Sequence, residues 1–271
     1  VIREYGYDHI VPTFLKAAQV TTGGLTAEQK ARAKAKRTMC AQGFYEAETL
    51  AFYADADLDM LHIAADAPER KVIRILNPIS SHLTIMRPLL APSLLNVVVD
   101  NLRKGNGEGR LFEMSNIYIP KQLPVTKQLP LTELPEERLH LGFAAWGSDE
   151  DFFTVKGAVA ALGDAFGVEL TVERAADVAW LHPGIAAYIL CKGERVGVFG
   201  KLANDVTAEL KLPKDSRSNL NIYLGEIDWV AFHALVPTSL HYTPIPEFAP
   251  VQRDLALVAP ESMECGTLIT E

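Results

Sequence analysis

Cysteine is scarce in this chain: Cys40, Cys191 and Cys265 are the only three in 271 residues, far apart and without a Cys-x-x-Cys pair. Neither a disulfide framework nor a cysteine-bound zinc is indicated, and a reducing, cytoplasmic setting is the default expectation. Long apolar runs are missing too. No stretch of about 18 apolar residues occurs, which excludes a membrane-spanning helix and any membrane partner of that kind. No basic-then-apolar leader opens the chain, and because Val1 falls inside an apparent helix the sequence reads as an excised fragment. Positive charge is in deficit, with a formal net charge of −8. A surface that grips nucleic acid non-specifically needs clustered Lys and Arg, so that class is disfavoured. Aromatics interleaved with Arg and Lys are absent as well, which speaks against a stand-alone RNA-binding module.

What is present is ordinary globular material: 48% hydrophobic and 22% charged residues, enough for one large domain plus a remnant. The opening VIREYGYDHIVP looks like the end of a helix, stopped at Gly6 and leaving through Pro12. After a Thr22-Gly23-Gly24 loop, Thr26 and Gln29 form a capping-box pattern that opens a helix to about Gln42, with Gly43 beyond it. FYEAETLAFY then has strand character, and Asn77-Pro78 marks a turn. Pro92 starts the apolar helix SLLNVVVDNL, closed by Arg103, Lys104 and Gly105. GRLFEMSNIYIPK (109–121) is strand-like, and the proline-rich 121–138 stretch reads as a surface loop. LHLGFAAWG is a strand and DFFTVKGAVAALGDAFG a helix ended by Gly167. AYILCKGERVGVFGKL is a hairpin turning at Lys192-Gly193, and NIYLGEIDWVAF one more strand. Paired strands with irregularly interspersed helices imply an α+β fold with an antiparallel sheet. From Pro244 the style changes to a short unit with one strand, RDLALV, and the start of a helix.

Six of these stretches, in order, resemble the beta subunits of bacterial phenylalanyl-tRNA synthetases, whose core has the class II aminoacyl-tRNA synthetase fold. They are EYGYDHIVP, NPIS followed by MRPLLAPSLLNVVVDNLR, FEMSNIYIP, DFFTVKG, LHPGIAAYI and PEFAPVQRDLALV. The resemblance implies three parts: 1–13 as the end of a preceding small domain, 14–237 as the synthetase-like core, and 238–271 as the truncated start of a ferredoxin-like, anticodon-binding-type domain. It also implies an alpha-subunit partner in an (αβ)2 assembly, phenylalanine tRNA as the substrate of the whole complex, and ATP with magnesium used by that complex, with no cofactor in this fragment.

The departures from the class II pattern carry the functional reading. The first motif should end in proline; here Gly43 to Thr49 is followed by Leu50. The second should end in Phe-Arg-x-Glu, whose planar cation clamps the phosphate and carboxylate of the forming adenylate. Tyr118, Ile119, Pro120 and Lys121 stand there instead. The third, Gly-x-Gly-x-x-x-Arg, has no counterpart at LGEIDWVAF. Losing one preorganised donor typically costs about 10²–10³ in turnover, so no catalytic, cofactor or metal residue is assigned, and an active adenylate-forming enzyme is the disfavoured alternative. His182 in His-Pro-Gly-Ile is read as a turn histidine, and Asp55, Asp57, Asp59, His62 and Asp66 as a solvated acidic turn. The assigned role is a scaffold whose first motif meets a partner. Arg37, Phe44, Tyr45, Phe52 and Tyr53 are its candidate interface residues, as aromatic anchors beside a basic helix.

Overall fold

The computed structural model describes residues 2–14, 23–121, 134–212, 220–239, 242, 244–263 and 265–270. Two units make up the chain, Val1–Pro237 and Thr238–Glu271. Most of the proline-rich stretch expected as a loop, 122–133, lies outside the described residues.

The first unit opens with a short helix α1 (Ile2–Tyr5), stopped by Gly6 at φ +97°. Helix α2 (Ala27–Ala41) begins at the expected capping box: the Thr26 hydroxyl accepts from Gln29 N–H, and the Gln29 side chain accepts from Thr26 N–H. Gly43, at φ +83°, takes the left-handed turn that a side chain resists. The chain then forms β1 (Tyr45–Glu46), β2 (Phe52–Tyr53), helix α3 (Asp55–Met60), β3 (Ile85–Met86) and helix α4 (Ala91–Arg103). Strands β4 (Gly109–Ile119) and β5 (Glu136–Gly147), helix α5 (Phe152–Phe166) and strands β6 (Leu170–Arg174), β7 (Leu181–Cys191) and β8 (Glu194–Leu202) follow. Helix α6 (Asn204–Glu209), β9 (Asn221–Asp228) and helix α7 (Trp229–Leu235) close the unit.

Seven strands form one sheet in the order β1-β4-β5-β9-β8-β7-β6, antiparallel throughout except where β1 runs parallel to β4. Side chains alternate between its faces, which divides the core in two. On one face Phe112, Phe143 and Phe199 pack with Met39 of α2, Val159 and Leu162 of α5 and Phe232 of α7. On the other, Ala144, Ile222 and Leu224 pack with Leu58 of α3, Leu94, Val98 and Leu102 of α4 and Val206 of α6. Helix α4 lies directly over β5 at Gly142, where a Cβ would come 2.9 Å from Leu90 and Leu94.

Several expectations are corrected. Phe44–Phe52 is not one strand: β1 leaves the sheet after Ala47 N–H donates to the Phe112 carbonyl, and β2 pairs with β3 in a separate two-stranded ribbon. Helix α4 packs on the sheet that carries Phe112 and Met114, as its apolar stripe implies, and it does so on the face opposite them. The strand read through NIYLGEIDWVAF ends at Asp228, whose carboxylate accepts from Ala231 N–H and caps α7. Helices α3 and α6 and the edge strand β6 have sequences too short and mixed to announce a period. In the second unit RDLALV forms no strand; Leu255, Leu257 and Val258 are exposed, as expected of strand residues with no neighbour to pair with. A helix α8 (Cys265–Thr270) does follow. Among the described residues no helix is long and apolar enough to cross a membrane.

Candidate functional site

The chain concentrates its buried charge where β1 departs from β4. Arg87 precedes a proline, which favours extended backbone, and its main chain is pinned on both sides: its N–H donates to the Ala51 carbonyl and its carbonyl accepts from Tyr118 N–H. The side chain is thereby aimed into the gap that β1 leaves. Arg87 is 1% exposed and its partner Glu113, on β4, 2%. Nη1 donates to Glu113 Oε1 at 3.0 Å and to Thr49 Oγ1 at 2.9 Å, Nε to the Asn116 carbonyl at 2.9 Å, and Nη2 to Ser115 Oγ. Glu113 in turn accepts from Thr49 Oγ1 at 2.6 Å. Every guanidinium nitrogen is thus engaged within the chain. Burial of two charges is tolerated because each is paired and hydrogen-bonded.

A second carboxylate fills the neighbouring anion position. Residue Glu226 on β9 sits across the strands from Gly142, below the start of α4. Its Oε2 accepts from Leu90 N–H at 2.9 Å and Ala91 N–H at 3.2 Å, and its Oε1 lies 2.6 Å from His140 Nδ1. The first N–H groups of a helix carry partial positive charge and attract an anion; here the sheet supplies one. Neither Arg87 nor Glu226 was singled out as a site residue from sequence. The available signal was a lone charge inside an otherwise apolar strand or ahead of an apolar helix.

The positions expected to hold adenylate-binding groups lie at the margin of this cluster. Ile119 ends β4 and is partly exposed. Beside the Arg87–Glu113 pair opens a small cleft lined by Lys36, Glu46, Glu48, Thr49, Glu113 and Ser115, with Lys36 and Glu46 ion-paired at its mouth.

The candidate interface residues separate into two groups. Arg37 and Tyr45 are exposed, Tyr45 by 75%, and Phe52 is half-buried. Phe44 and Tyr53, each 3% exposed, belong to this chain's own core, which corrects their assignment to a free surface. Phe44 meets Phe143 edge-on. Tyr53 finds the polar partner its hydroxyl needs inside the chain, donating to the Leu89 carbonyl at 3.4 Å, and burial pushes its pKa up.

The acidic run of α3 is occupied by pairing. Asp55 meets Arg74, which holds its carboxyl below the usual range; Asp59 meets Arg70; Asp57 accepts from Ala54 N–H. Among the described residues no group of three or more side chains could hold a metal ion. The ring of His182 accepts from Gly184 N–H at 3.1 Å, a local turn contact.

Solved structures share this arrangement of sheet and helices at low sequence identity. Two structures of pyrrolysyl-tRNA synthetase from Desulfitobacterium hafniense superpose with TM-scores of 0.53 and 0.57 at 16% and 15% identity, covering 74% and 80% of this chain and 65% and 75% of theirs. The fold is that of the class II tRNA synthetases. The model of the phenylalanyl-tRNA synthetase beta chain CLM domain matches residues 11–229, and the chain belongs to that family. It is 34% identical to the phenylalanine–tRNA ligase beta subunit of Anaeromyxobacter dehalogenans, over 99% of this chain and 33% of that protein. The corresponding subunit of Bacillus thuringiensis is 31% identical over 98% of this chain and 32% of its own length. The chain therefore spans about a third of the length of the curated relatives it matches.

Proposed function

We propose that this chain is a non-catalytic class II core that acts within a phenylalanine–tRNA ligase as a scaffold for the alpha subunit and for positioning tRNA. The observation that carries the reading is the state of the cations. Where an adenylate-forming site presents an arginine to its ligand, this strand has Ile119. The buried arginine that does reach β4, Arg87, has its nitrogens committed to Glu113, Thr49, Ser115 and Asn116. The nearby helix start is neutralised by Glu226. Among the described residues of this cluster, the Arg87 nitrogens and the first N–H groups of α4 are thus occupied rather than preorganised for a triphosphate, and preorganisation is what makes such donors effective. ATP and magnesium would be handled elsewhere in the complex, an (αβ)2 assembly in the cytoplasm. The segment from Thr238 would begin a ferredoxin-like domain. Calorimetry on the chain at millimolar ATP is expected to show no saturable binding; a micromolar dissociation constant would overturn the reading.

The proposed contact surface is the exposed side of α2 with β1, reduced to Arg37, Tyr45 and the half-buried Phe52. A tyrosine with 75% of its surface in water on β1 and an exposed arginine on α2 are residue types enriched at interface centres. Co-purification of the full beta subunit with its alpha partner tests this. The variant Tyr45→Ala with Arg37→Glu is expected to stay folded and lose at least tenfold in assembly affinity, about 1.4 kcal/mol. Undiminished assembly of the folded variant would move the interface to another face.

A further inference from the structure

We propose that His62 is a pH-operated clasp that holds α6 against the end of α3. The residue follows the last turn of α3 with φ +52°, a backbone state that a side chain resists and that its surroundings must hold. Around it Leu58, Leu61 and Ile63 share one apolar cluster with Val206 of α6 and Leu210 just beyond its end. Its ring reaches across the rim of that cluster: Nδ1 lies 3.3 Å from Asp205 Oδ2 and Nε2 3.1 Å from Glu209 Oε2. The two carboxylates are four residues apart on α6 and so fall on one side of it. A neutral imidazole has one N–H and one lone pair. Only the imidazolium can donate to both carboxylates, and on losing its proton the ring turns a lone pair toward one of them.

Asp66 and Glu69, beyond His62, are exposed, and the other acidic groups on the packed elements are engaged elsewhere. On α3, Asp55 pairs with Arg74, Asp59 with Arg70, and Asp57 caps the helix. In the 68–70 turn Arg70 also donates to the Ile63 carbonyl. On α4, Asp100 pairs with Arg103. The groups that act on the ring are Glu209 and Asp205: the hydrogen bond to Glu209 raises the His62 pKa most, against the opposing effect of burial. Because the folded pKa lies above the unfolded one, the clasp is fully closed below the ordinary histidine value of about 6.5 and opens as pH rises through the raised folded value.

The test combines an NMR titration of the His62 ring with amide exchange over 204–210, in wild type, Asp205→Asn with Glu209→Gln, and His62→Gln. In wild type the ring should titrate above about 6.5, and removing both carboxylates should bring it back toward that value. Corrected for intrinsic chemistry, α6 protection should fall about two- to fivefold above the midpoint, the scale of a partly exposed pair, with high salt shrinking the change. His62→Gln should abolish the pH dependence without unfolding the chain. A ring midpoint at or below about 6.5, α6 protection unchanged through the midpoint, or the full pH dependence surviving in His62→Gln would each overturn the proposal.

Discussion

Replacing Arg87 with methionine is expected to destabilise the chain by about 3–5 kcal/mol, one of the largest effects available to a single substitution here. The cost comes from what is left behind. Glu113 would remain 2% exposed, with only the Thr49 N–H and hydroxyl as donors and no cation to balance its charge. The Asn116 carbonyl and Ser115 hydroxyl would also lose their guanidinium partner. Removing both charges together, Arg87→Met with Glu113→Leu, should recover most of that loss, because a well-packed apolar pair avoids the desolvation penalty altogether. Urea unfolding of the two variants, compared at equal m-value, measures the difference. A single variant within about 1 kcal/mol of wild type would mean the pair is neither buried nor coupled as described.

Introducing a charge into the other core should cost as much. Val98 has no exposed surface; it lies on the inner side of α4, among Leu94, Leu95 and Leu102, facing Ala144 and Leu224 of the sheet. Val98→Asp places a carboxylate there with no donor in reach, so stability should fall by about 4 kcal/mol or more, or the aspartate should stay protonated at neutral pH. Asp100→Asn, two residues on and on the exposed side of the helix, serves as the control and should stay within about 0.5 kcal/mol. Thermal melts decide the matter. An unchanged midpoint for Val98→Asp would show that α4 is not core.

Where one element carried a full period in its own sequence, the reading and the structure agree. The apolar stripe of 94–102, the Thr26 and Gln29 cap and the Lys192-Gly193 turn are local signals, and a helix, a capping box and a hairpin stand there. Readings failed where the deciding partner lay far along the chain. Phe44–Phe52 has strand composition, yet it breaks after Ala47 because Thr49 is drawn to Glu113 and Leu50 to Arg87, contacts 64 and 37 residues distant. Tyr53 looked like a surface anchor because its hydroxyl needs a partner. The partner is the Leu89 carbonyl, 36 residues on.

The sequence alone established the family resemblance, the mixed helix and strand character, and the absence of an arginine at position 119, since each rests on residue identity and short-range order. Tertiary structure decided how the chain's remaining charges are used. Glu226 lies 136 residues from the Leu90 N–H it binds, and Arg87 26 from Glu113. No period or spacing encodes such pairs, because they exist only once strands β4, β5 and β9 stand side by side beneath α4. The same assembly sets which aromatics of the α2–β1 region remain exposed: burial belongs to the packed sheet, where Phe44 meets Phe143 from a distant strand, while Tyr45, its neighbour in the chain, points to the opposite side and stays in water.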